Sequence, residues 1–74
     1  MKTNLTDEQL HSLLRECFHR NNKTIEERKE LQKDLQSCQK QFIAYCMKVA
    51  ENYPSSHSMR YTIMKSANKA LFNL

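Results

Sequence analysis

The chain has no glycine, no tryptophan and one proline, Pro54. Without glycine, tight β-hairpin turns and phosphate-cradling glycine loops lack the residue they depend on. No run rich in β-branched residues offers material for strands. No apolar stretch approaches the ~20 residues of a membrane span, and the opening MKTNLTDEQL is polar, unlike a leader. The three cysteines are Cys17, Cys38 and Cys46. On one helix Cys38 and Cys46 would stand about 12 Å apart at 1.5 Å per residue, beyond the reach of a disulfide. They read as reduced, packed thiols, and the expected location is cytoplasmic. What remains is all-α, in a single domain over 1–74.

The helix signals are strong. In LTDEQLHSLLRECF, Thr6 and Gln9 form a capping box, with Leu5 and Leu10 at the flanking staple positions. Leu10, Leu13, Leu14, Cys17 and Phe18 recur at helical spacing, which predicts a short helix over 7–19. Asn21 and Asn22 suit the left-handed termination that glycine usually provides. A second box, Thr24 with Glu27, opens a helix predicted to run unbroken over 25–52. Its seam of Leu31, Leu35, Cys38, Phe42, Tyr45 and Val49 alternates spacings of four and three, the pattern for shallow-angle packing on another long helix. From Phe42 onward a second face appears at Ile43, Cys46, Ala50 and Tyr53.

In NYPSSHSMR, Pro54 cannot continue a helix and forces the residue before it out of helical geometry. Ser55 and Ser56 are good N-caps, so a third helix is predicted over 56–72. Its seam is Met59, Ile63, Ala67, Ala70 and Leu74, flanked by Met64 and Leu71. The expected architecture is a short helix followed by a long antiparallel helical hairpin. Two apolar faces in so short a chain favour a homo-oligomer that completes the core between copies.

Charge is lopsided. The net charge is +4; residues 1–34 hold seven basic and seven acidic side chains, while residues 35–74 hold five basic ones against Glu51 alone. The surplus points to an anionic partner. Catalytic motifs are missing: there is no HExxH, and no spacing that suggests a nucleophile with its base. His11, Cys17 and His19 fit no usual zinc spacing. Neither a metal nor a cofactor is expected, and the chain does not read as an enzyme.

Binding of a phosphorylated ligand has better material. Phe18 can stack on a base, and His19 and Arg20 beside it can meet phosphate. Lys33, with Lys29 one turn earlier, presents an amine from the second helix. At the proline corner, Ser56 offers a hydroxyl at a helix start, where anions settle, and Arg60 adds a guanidinium one turn on.

In order along the chain, CFHRNN, ERKELQKDLQ and AENYPSSHSMRYTIMKSANKAL place an aromatic–histidine pair, a long charged helix, a proline–serine corner and a last helix with regularly spaced small residues. Over about residues 14–72 this arrangement resembles the phage anti-CBASS cyclic-oligonucleotide sponges, whose helical hairpin is shared with anti-Thoeris sponges. The resemblance implies a homohexamer that sequesters cyclic di- and trinucleotides without cleaving them, in the cytoplasm of an infected bacterial cell. It implies a base-stacking role for Phe18, a phosphate-binding lysine at Lys33 with His19 adjacent, and a second kind of pocket near Arg60. The chain departs from the family at His57, where an acidic residue is usual, and in having no tryptophan in its last helix. Two other readings remain: a small basic module holding DNA or RNA through Lys40, Lys48, Lys65 and Lys69, and a helical protein-interaction module.

Overall fold

The computed structural model describes residues 4–72. Four α-helices make up the architecture: α1 (Asp7–Phe18), α2 (Ile25–Ser37), α3 (Gln39–Ala50) and α4 (Ser58–Phe72). Helix α4 packs against each of the other three. Its buried face explains why: Ala67 and Ala70 carry no bulk beyond a methyl group, so neighbouring backbones can come close, while Ile63 and Leu71 fill the space on either side. Leu35, Phe42, Cys46 and Leu71 are wholly buried at the centre, joined by Leu10, Leu14 and Cys17 from α1. Among the described residues no helix is long and apolar enough to cross a membrane.

Both capping boxes form. The Thr6 hydroxyl accepts the Gln9 N–H at 3.2 Å and the Gln9 side chain accepts the Thr6 N–H at 2.9 Å; Thr24 and Glu27 repeat the arrangement at the same distances. The Thr24 backbone N–H, and after it the Thr24 hydroxyl, hold the Glu27 carboxyl below its ordinary pKa. Helix α1 stops at Phe18, one residue short of the expected end, with His19 as its C-cap. Asn21 and Asn22 do not take the left-handed conformation, since no described residue has positive φ. They complete a 3-10 turn, Arg20–Asn22, whose carbonyls are clasped from α2: Arg28 Nε donates to Arg20 O at 3.0 Å and Nη2 to Asn21 O at 3.5 Å. Lys23 pairs with Glu16 across the same turn.

The unbroken helix expected over 25–52 is instead two helices. A straight one would span about 42 Å at 1.5 Å per residue, longer than the molecule's 34 Å long axis. The interruption lies at Cys38 (φ −129°, ψ 33°) and involves neither proline nor glycine. In a continuous helix the Cys38 N–H would donate to Asp34 O. Here it donates to Leu35 O at 3.2 Å, and Asp34 O accepts the Ser37 hydroxyl at 2.6 Å and the Cys38 thiol at 3.4 Å. Side-chain donors thus take the carbonyl that the backbone ladder needs. Bending there lets Phe42 and Cys46 of α3 meet the core that α1 and α4 share.

The second apolar face, read as surplus, is covered within one chain. Cys46 and Ala50 are buried, and Ile43 and Tyr53 are half-buried against the core. Leu74, the last residue of the expected α4 seam, lies outside the described residues, and Met59 at its start is 39% exposed. Glutamines secure the packing. Gln41 of α3 both donates to Leu5 O (2.7 Å) and accepts the Leu5 N–H (3.0 Å), while Gln32 and Gln36 of α2 donate to Leu71 O near the end of α4.

Candidate functional site

The proline corner is built as a turn and closed from within. His57 N–H donates to Pro54 O at 2.9 Å. The cap of α4 is His57 rather than Ser55 or Ser56: its Nδ1 accepts the Met59 N–H at 3.0 Å, and the helix begins at Ser58, two residues later than expected. The reason is geometric, because the Pro54–His57 turn uses both serines as its middle residues. The helix-start amides of Met59 and Arg60 are taken by His57 side chain and backbone, which removes two of the donors an anion would use there. Ser56 is exposed. The Arg60 guanidinium reaches back to Tyr53 O at 3.5 Å and lines a cleft of about 160 Å³ with Met47, Ala50, Glu51 and Met64.

At the other end of α4, side chains from distant parts of the sequence converge. Phe18 at the end of α1, Arg20 and Asn21 of the 3-10 turn, and Lys65, Ser66 and Lys69 of α4 line a cleft of about 120 Å³. Phe18 is 40% exposed. Three cations and no carboxylate face this cleft. Lys65 and Lys69 share one side of α4 because they stand four residues apart, and the Arg28 clasp fixes the turn that bears Arg20.

Cys17 forms part of the same lining. Burial pushes its thiol up to about 12, with Cys46 and Glu16 adding to the effect. Near neutral pH the sulfur therefore stays protonated and is a poor nucleophile. The cleft can hold an anion and offer an aromatic surface; it supplies no activated group for bond cleavage.

Two larger clefts have the opposite character. One of about 620 Å³ is lined by Asp7, Glu8, Gln9, His11, Ser12 and Tyr45. Its polar groups serve each other: His11 Nδ1 and Tyr45 Oη lie 3.0 Å apart, and Asp7 faces Lys48 at 3.8 Å. Burial, then the Asp7 and Cys46 charges, raise the Tyr45 phenol above its ordinary pKa. The other, about 470 Å³, includes Glu16 and Asp34. Volume favours these clefts, but an anionic ligand is repelled there. Charge is the better guide, and it selects the smaller cleft.

Of the residues singled out from sequence, Phe18 sits in the basic cleft, whereas His19 is exposed at the C-cap of α1 and lines none of these four clefts. Lys33 is exposed on α2 and does not line the cleft with Phe18. Ser56 and Arg60 belong to the proline corner. The lysines that do share the cleft with Phe18, Lys65 and Lys69, carried a visible signal in their four-residue spacing. What the sequence did not disclose was that the end of α1 packs beside them. The chain matches no protein-family model, no curated protein and no solved structure.

Proposed function

We propose that the protein binds and sequesters a phosphorylated nucleotide without cleaving it, the messenger being a cyclic di- or trinucleotide of CBASS-type immunity. The single observation that carries this reading is an exposed aromatic ring, Phe18, beside three cations, Arg20, Lys65 and Lys69, in a cleft free of carboxylates. Base stacking and charge-assisted hydrogen bonds to phosphate are what such a set offers. In this reading His19 and Lys33 meet the ligand from the rim or from a neighbouring copy, and the Ser56–Arg60 corner is a secondary contact.

The reading includes a homohexamer in which α2–α3 and α4 act as an antiparallel hairpin, located in the cytoplasm of an infected bacterial cell. With the second face of α3 covered within the chain, the material for association is the set of exposed apolar side chains, among them Ile25, Met47 and Met59.

The test is a panel of cyclic di- and trinucleotides followed by thermal shift, with the ligand then recovered from denatured protein by chromatography. A raised melting temperature and an intact nucleotide are expected. A linear product would make the protein an enzyme. Binding to long DNA or RNA that collapses steeply with salt, through counterion release, would favour the nucleic-acid alternative.

A further inference from the structure

We infer that Tyr61 is a second base platform of the Phe18 cleft, so that the site is shaped for two bases joined through phosphate rather than for a mononucleotide. This rests on the nucleotide reading of the cleft and extends it to residues beyond the cleft wall.

The first observation is size. At about 120 Å³ the cleft is smaller than the ~300–1,000 Å³ that encloses a whole ligand. A nucleotide seated there must extend over the neighbouring surface. The second observation is what that surface carries. Tyr61 stands one turn before Lys65 on α4 and is 66% exposed. Lys65 lines the cleft, and its ammonium lies 5.5 Å from the centre of the Tyr61 ring. One lysine therefore links two aromatic side chains, Phe18 in the same cleft lining and Tyr61 one turn back along the helix.

The third observation is charge. Lys65 and Lys69, one turn apart on α4 and both lining the cleft, suit two singly charged phosphodiesters. A ligand with bases at its ends and phosphates between them matches the order aromatic, cation, aromatic. An exposed tyrosine is chemically suited to this place, because every nucleobase has a face on which a ring can stack. Such stacking also competes directly for the ring surface that Lys65 occupies in the free protein, so Lys65 is released toward phosphate as the base arrives.

The experiment is calorimetry on the parent protein, Tyr61→Leu and Phe72→Leu, with cyclic di-AMP, cyclic di-GMP and cyclic GMP–AMP as probes and AMP and GMP as their one-base counterparts. Tyr61→Leu is expected to weaken the cyclic dinucleotide roughly five- to hundredfold, the span of a lost base–aromatic stack, and to leave the mononucleotide unchanged. Phe72→Leu, on the same exposed side, is expected to change neither. Undiminished cyclic dinucleotide binding by Tyr61→Leu overturns the inference while leaving the nucleotide reading intact. An equal loss for both ligand classes, or a loss that appears only in Phe72→Leu, overturns it as well. If the parent binds no probe, the cyclic-dinucleotide reading of the cleft falls and takes the second platform with it.

Discussion

On one side of α4, Ile63, Ala67, Ala70 and Leu71 are at most 2% exposed, whereas on the other Tyr61 and Phe72 are 66% and 59% exposed. Both sides are partly apolar in sequence, so hydrophobicity alone does not separate them. The inner side alternates methyl-sized residues with Ile63 and Leu71, which lets three helices approach at once. The outer side interleaves its two rings with Lys65 and Asn68, and a surface interrupted by charge cannot be buried without desolvating that charge. The inner face therefore carries stability, and the outer face is left to solvent. Substitutions that move stability on one face and leave it alone on the other sharpen this division.

The largest effect is expected from Leu71→Ala, which removes a fully buried side chain and leaves a cavity in the core. A loss of about 2–5 kcal/mol is a large share of the roughly 4–11 kcal/mol expected for a chain of this size. Urea titration should show a much lower midpoint. A change below about 1 kcal/mol, in contrast to the cavity cost, would mean that the inner face is not the core.

Alkaline pH probes the same interior without a mutation. Burial pushes the Cys46 thiol up to about 12, as it does for Cys17. In the unfolded chain both thiols lose protons from about pH 9. Between there and 12 the folded state holds more protons than the unfolded one, so stability falls as pH rises. The slope is at most about 1.4 kcal/mol per pH unit for each thiol. Cys17→Ala should flatten it; an unchanged slope would mean that this thiol is open to solvent.

His57→Ala removes the side-chain acceptor at the start of α4 and should cost about 1 kcal/mol, read as a lower melting temperature. His57→Asp should restore the cap. If Ser56→Ala were the more damaging change, the cap would belong to the serine after all.

The smallest change in stability is expected on the outer face. Lys65→Gln should stay within about 0.5 kcal/mol of the parent, while binding of a nucleotide weakens roughly tenfold to more than hundredfold with the lost charge-assisted bond. Lys33→Gln is the paired measurement. A larger binding loss there than at Lys65 would shift the site to α2 and undo the contrast between the faces.

Much of the fold was legible because its causes are local. Thr6 with Gln9, and Thr24 with Glu27, act within three residues, and Pro54 acts on its immediate neighbours. The buried set followed from spacing, since Leu10, Leu14 and Cys17 fall on one stripe wherever the helix is placed. The break at Cys38 is also local, yet nothing in residue type announces it. Ser37 and Cys38 can donate to Asp34 O in many helices without ending them, and here the bend is held because it brings Phe42 and Cys46 to the core. The candidate site was legible only in fragments. Phe18 and the Lys65–Lys69 pair were each recognisable, but they stand nearly fifty residues apart in the chain.

The sequence by itself determined an all-helical chain, its two capping boxes, its proline corner and which residues are apolar enough to be buried. Capping and periodicity arise from hydrogen bonds and side-chain directions that repeat within a turn or two. Tertiary structure alone decided that the long helical segment bends at Cys38, that the second face of α3 is covered within the chain, and that Phe18 stands beside Lys65 and Lys69 rather than Lys33. These depend on how close the helices can come, which Ala67 and Ala70 permit, and on which surfaces then remain for solvent.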